Sequence, residues 1–184
     1  MIQITLPDGS IKEMAKGSTP MDVAMSISEG LARNVISASF NDTTVETTTE
    51  LTTDGSLILY TWNNDEGKKA FWHSTSHVMA QAIEEKFPNA KLTLGPAIDN
   101  GFYYDVDFGD DKFTDADFKA IEDGVLEISR EKHEFKMRSV SKAEALEVYK
   151  DNEYKTELIS NLEDGTITFC DHDTFFDLCR GGHI

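Results

Sequence analysis

At 184 residues, with 39% hydrophobic and 10% aromatic content, the chain is long enough for one large domain or two small ones and too apolar for a disordered segment. Its formal net charge is −17, with three bases against eight acids in residues 1–61 and 14 against 26 in residues 62–184. Neither part offers a basic stripe, which argues against a self-sufficient, tight nucleic-acid module. No apolar run approaches the ~18 residues of a membrane span, and the stretch from Met1 to Pro7 lacks the basic and apolar regions of a signal peptide. Cys170 and Cys179 read as reduced thiols rather than a disulfide framework, so the expected setting is the cytoplasm.

In chain order, Ile2 to Leu6 alternates as a strand, Pro7 to Ser10 forms a turn, and Ile11 to Met14 returns. Thr19 followed by Pro20 is an N-cap with proline at the first helical position, opening a helix through Ile27 that Gly30 is placed to end. Val35 to Phe40, Thr43 to Glu46 and Ser56 to Tyr60 supply further strands, with Asn41-Asp42 and Thr53 to Gly55 as turns. The fold class is therefore α+β. A small β-grasp (ubiquitin-like) domain over residues 1–61 has no evident nucleophile, base or metal cluster and reads as an interaction module. A larger α+β domain over residues 62–184 follows, with helices packed on an antiparallel sheet. The polar stretch from Thr61 to Gly67 is the expected boundary.

The second domain opens on a helix from about Asp65 to Phe87, stopped by Pro88. Projected at 100° per residue, Phe71, Trp72, Val78, Met79, Ala82, Ile83 and Phe87 fill one apolar arc, and His73, His77 and Glu84 lie together at its edge. Lys91 to Leu94 is strand-like. Gly95 to Asp105 mixes turn glycines with aromatics and suits either a pocket wall or a plain hairpin. Thr114 and Ser141 each begin a capping-box pattern, the latter the cleaner, with Gly124 costing the first helix roughly 1 kcal/mol relative to alanine. Ile167 to Cys170 reads as a strand, the Phe175-Phe176 pair as a core anchor, and His133 and His172 as solvated side chains.

The chemistry is concentrated in two pairs of equal spacing, His73/His77 and Cys179/His183. Each pair alone is a weak signal, since HxxxH arises by chance and a cysteine near an apolar run is commonly core. Together they use three of five histidines and one of two cysteines, and they could line one cleft. Three imidazoles and a thiolate also make a tetrahedral zinc set.

These motifs carry a resemblance. The opening strand, Leu6 to Ser10, and Ser18 to Ala24 resemble the TGS domain of bacterial threonyl-tRNA synthetases. His73/His77, the run Gly95 to Asp105, and Asp177 to His183 resemble that family's editing domain. The resemblance implies an N-terminal fragment that cannot itself charge tRNA, with no cofactor of its own. ATP, magnesium and a zinc ion would belong to a missing catalytic domain, and a homodimer would form through missing parts. The implied partner is the acceptor end of tRNA(Thr), and the implied reaction is hydrolysis of mischarged seryl-tRNA(Thr). By the same resemblance, His73 is the base or water orienter, and Lys155 positions water or stabilises the oxyanion. Asp177 and Cys179 contact the substrate, His77 and His183 shape the pocket, and Gly95 and Tyr104 wall it. From its surroundings alone, Lys155 reads equally as an ordinary surface lysine. The related alanyl-type editing domains use the His/Cys set for zinc, whereas the closer resemblance implies a metal-free site. The competing readings are a free-standing trans-editing deacylase, another His/Cys metal-dependent hydrolase, though HExxH is absent, and a non-catalytic binding module.

Overall fold

The computed structural model describes all 184 residues, which form two compact units: residues 1–74 with 181–184, and residues 75–180. In the first, alternation along β1 (Ile2–Thr5) turns Ile2 and Ile4 into the core. Strand β1 pairs antiparallel with β2 (Ile11–Met14). Helix α1 (Pro20–Ile27) begins with a reciprocal box: the Asp22 N–H donates to Thr19 Oγ1 at 3.2 Å, and the Asp22 carboxylate accepts the Thr19 N–H at 2.9 Å. The helix does not run to Gly30. Ser28 ends it in an extended conformation, and its Oγ accepts the Leu31 N–H at 3.0 Å to cap the short α2 (Glu29–Ala32). Because Ser28 is already the N-cap of the next helix, Gly30 lies inside α2.

Strands β3 (Val35–Phe40), β4 (Thr43–Val45) and β5 (Gly55–Thr61) complete a five-stranded sheet ordered β2-β1-β5-β3-β4. The β1/β5 pair is parallel and the others antiparallel, which is the β-grasp arrangement. Asn41 and Asp42 turn the β3–β4 hairpin with φ of 49° and 62°. Ile2, Ile4, Val23, Ala38, Leu51 and Leu57 form the core. Trp62, Phe71 and Trp72 add an edge-to-face aromatic cluster with centroids 5.1–5.9 Å apart. Helix α3 (Asp65–Lys86) is one continuous element whose first ten residues belong to this unit and whose remainder belongs to the second.

In the second unit, Val78, Ala80, Ala82 and Ile83 of α3 pack with Phe135, Phe175 and residues of α4. The intervening short strands are β6 (Lys91–Leu92), β7 (Ala97–Ile98), β8 (Gly101–Phe102) and β9 (Val106–Asp107), paired β6 with β9 and β7 with β8. In α4 (Asp115–Glu131), a Cβ on Gly124 would stand 3.2 Å from the Ala82 Cβ, so this glycine serves the close approach of two helices. The rest of the unit is β10 (Lys136–Ser139), α5 (Lys142–Val148), α6 (Glu153–Ser160), β11 (Thr168–His172) and β12 (Phe175–Leu178). An antiparallel sheet β10-β11-β12 carries a second core of Val140, Ala145, Ile159, Ile167 and Phe169.

Of the two capping patterns, the one at Thr114 forms as expected and the one at Ser141 does not. The Thr114 box is reciprocal, whereas at Ser141 only the Glu144 N–H bond forms, at 3.2 Å, because the Glu144 carboxylate turns to Arg138. Phe175 is buried but Phe176 points outward, since adjacent residues of a strand face opposite ways. His172 is not solvated. It is 3% exposed, stacks on Phe135 at 4.5 Å, and its Nδ1 lies 2.8 Å from Gln81 Oε1. No helix is long and apolar enough to cross a membrane.

Candidate functional site

The chemistry of the second unit centres on Asp177, which the alternation of β12 turns inward to 4% exposure. A buried carboxylate needs donors and a countercharge, and this one has both. Oδ2 accepts the Tyr104 hydroxyl at 2.5 Å. Oδ1 accepts the Leu178 N–H at 2.7 Å and the Tyr149 hydroxyl at 3.3 Å, and it pairs with Lys155 Nζ. Lys155, itself 2% exposed, is therefore no surface lysine. It enters on the first turn of α6, where Asn152 Oδ1 accepts the Lys155 N–H at 3.1 Å and Asn152 Nδ2 donates to the Leu92 carbonyl at 2.9 Å. Burial and the charge of Asp177 push both tyrosine hydroxyls above their ordinary pKa. Burial, then the charges of Asp177 and Glu85, also raises the Glu84 carboxyl.

Gly95 backs Tyr104 so closely that a Cβ there would lie 2.2 Å from the ring Cδ2. Its carbonyl accepts the Ser76 hydroxyl at 3.0 Å, which ties this loop to α3. His77 is buried with its ring edge-on to Phe135 and Phe175, at 6.3 and 6.4 Å. A ring nitrogen of His77 and the Cys179 Sγ lie within 4.8 Å. Cys179 is fixed by its N–H bond to the Thr168 carbonyl at 3.0 Å. An apolar cleft of about 400 Å³, lined by Thr75, Met79, Phe102, Ile121, Val125 and Leu126, also belongs to this unit.

In the first unit, His73 and the fully buried His183 stack with centroids 4.6 Å apart and planes inclined by 27°. His73 and His77 project from successive turns of the continuous α3, one turn apart. The second unit thus gathers Gly95, Tyr104, Lys155 and Asp177, with His77 beside Cys179, and the first gathers His73 and His183. Tyr149 and Glu46, which touch these groups, are not evident from sequence: Tyr149 reads as one more apolar residue behind the Ser141 cap, and Glu46 as the end of a strand.

Residues 2–61 match the TGS domain family, so the β-grasp unit includes a TGS domain. Over its whole length the chain is 79% identical to a threonine--tRNA ligase of Flavobacterium psychrophilum and 78% identical to one of Flavobacterium johnsoniae. It is 49% identical to one of Cytophaga hutchinsonii. All of this chain is covered in each alignment, but the chain spans only 28 to 29% of the length of these relatives.

Proposed function

We propose that the chain is the editing portion of a threonine--tRNA ligase. It hydrolyses mischarged seryl-tRNA(Thr), and the longer protein, acting in the cytoplasm as a homodimer, attaches threonine to tRNA(Thr) with ATP. The observation that carries this reading is the buried Lys155–Asp177 pair, held by Tyr104 and backed by Gly95, in a chain so similar to threonine--tRNA ligases. An enclosed cation and carboxylate can serve a small zwitterionic substrate or a structural ion pair, and the similarity to threonine--tRNA ligases favours the first.

The need for such a site follows from the substrates. Serine keeps the hydroxyl of threonine and lacks one methyl, which a synthetic pocket can reject by only ~1–3 kcal/mol. A second site that admits serine and excludes the extra methyl restores accuracy. In this reading Asp177 receives the substrate ammonium and Cys179 borders its side chain. His73 takes a proton from water as the water oxygen bonds to the ester carbonyl carbon. Lys155 stabilises the resulting oxyanion. Collapse breaks the bond to the terminal ribose oxygen, which leaves with a proton and frees serine. His77 and His183 shape the pocket, and Tyr104 and Gly95 wall it.

The alternative is a zinc site, for which His77 and Cys179 offer donor atoms within 4.8 Å of each other. The metal-free reading follows the resemblance to threonyl-type editing domains, and no step is routed through a metal. The ATP, magnesium and zinc of threonine charging are assigned to the remainder of the longer protein.

Deacylation of seryl-tRNA(Thr) and threonyl-tRNA(Thr), by this chain and by the full-length protein, tests the reading. The expected result is hydrolysis of the seryl ester, sparing of the threonyl ester, abolition by His73→Ala and insensitivity to chelators. Failure of the folded full-length protein to hydrolyse the seryl ester would overturn the function. Loss of activity on chelation, restored by zinc, would overturn the metal-free site. With a charge of −17, this chain alone binds tRNA weakly and engages its acceptor end.

A further inference from the structure

We propose that Glu46, a TGS-domain residue, is a positioning residue for His183, accepting the Nδ1 proton so that Nε2 carries the lone pair. The functional consequence rests on the editing role proposed above; the positioning itself does not. A fully buried imidazole cannot leave its N–H without an acceptor except at considerable cost. Glu46 Oε1 lies 3.4 Å from His183 Nδ1, and the same oxygen accepts the Gly182 N–H at 3.1 Å. One carboxylate oxygen therefore grips the histidine and the residue before it.

The backbone around His183 is adapted to this grip. Gly181 and Gly182 adopt φ of 89° and 88°, and a Cβ on Gly182 would meet Thr44 Cγ2 of β4 at 3.4 Å. On the other side, the Ile184 N–H donates to Ser74 Oγ at 3.0 Å, and that hydroxyl donates to the Ala70 carbonyl at 2.8 Å. His183 is thus held before and after by the same unit, and its ring is stacked on His73.

The tautomer follows from acceptor chemistry. An ionised carboxylate can only accept, so the nitrogen facing it must bear the proton. Burial pushes the Glu46 carboxyl up, but the bonds from His183 and the backbone outweigh it and hold the group below the ordinary carboxylate range. Glu46 is therefore an anion at neutral pH. With Nδ1 protonated, Nε2 of the neutral ring accepts a proton donor such as water or a substrate hydroxyl. A domain with no nucleophile or base cluster of its own thereby sets the state of a site histidine.

Long-range ¹H–¹⁵N spectra of the ¹⁵N-labelled 184-residue chain, at a pH where His183 is neutral, read the tautomer, with His183→Gln identifying the signal. The wild type should show Nδ1–H. Glu46→Ala should lose that preference and lower kcat/KM for seryl-tRNA(Thr) on the order of 10-fold, about the effect of one lost hydrogen bond. Glu46→Gln keeps an oxygen facing the Gly182 N–H and should retain the tautomer and most of the activity. Glu46→Met, of similar length without an acceptor, replaces Glu46→Ala if alanine loosens the fold. An Nε2–H tautomer in the wild type, or an unchanged tautomer in Glu46→Ala and Glu46→Met, would overturn the positioning. A tautomer that follows Glu46 in a protein with no deacylase activity would support it and sink the editing reading instead.

Discussion

Removing either member of the Lys155–Asp177 pair should be costly, and unequally so. Their side chains are 3% and 6% exposed. Asp177→Ala strands an ammonium in the interior, a loss of about 3–5 kcal/mol by the usual cost of breaking a buried pair. Lys155→Met strands the carboxylate instead, but Tyr104, Tyr149 and the Leu178 N–H still donate to it. Each bond to a charged acceptor contributes ~1.5–3 kcal/mol, so Lys155→Met should cost roughly 1–3 kcal/mol. For a chain of this length ~1 kcal/mol moves Tm by about 2–4 °C, which puts Asp177→Ala about 6–20 °C below the wild type. Trp62 and Trp72, the two tryptophans of the chain, lie in the first unit. Their fluorescence should therefore hold while far-ultraviolet circular dichroism reports early loss of the second unit. Urea titrations of Lys155→Met, Asp177→Asn and the double variant should give a coupling energy of ~2–3 kcal/mol. A cost under ~1 kcal/mol for Asp177→Ala, or a greater loss for Lys155→Met than for Asp177→Ala, would refute the claim that a buried pair is being broken.

Gly95→Ala should displace Tyr104 from Asp177, because the new Cβ would lie 2.2 Å from the ring. A loss of ~1–3 kcal/mol should accompany a larger fractional loss of seryl-tRNA deacylation, and wild-type values for both would count against that contact. The raised tyrosine pKa values carry a definite sign. Their stabilisation is fully present below the unfolded tyrosine value of about 10 and is lost as pH rises from there towards the folded values. Alkaline unfolding should therefore begin near that pH, with a shallower slope in Tyr149→Phe; equal slopes in the two proteins would contradict the assignment. His172→Ala removes the ring from Phe135 and the bond to Gln81 and should cost ~1–3 kcal/mol without altering deacylation. A melt unchanged from wild type would mean that the side chain is solvated after all.

What the sequence determined by itself is local. Alternation specifies β1, the Thr19 box starts α1, and 3.6-residue periodicity places His73 and His77 one turn apart on a helix with a buried face. Each depends on residues within a few positions of one another, where spacing is geometry. Ser28 shows the limit of even local reading, because the serine leaves the helical conformation two residues before the glycine placed to end the helix. The long-range contacts were decided by tertiary structure. Tyr104 meets Asp177 across 73 positions, and Glu46 reaches His183 across 137. Nothing near Lys155 in the chain distinguishes it from a surface lysine, and nothing near His172 marks it as buried. Their environments come from β12 and from Phe135 and Gln81, brought up only when the second unit closes its cores. Burial turns an ordinary lysine and aspartate into a paired site, and burial is a property of the packed chain rather than of any stretch of it.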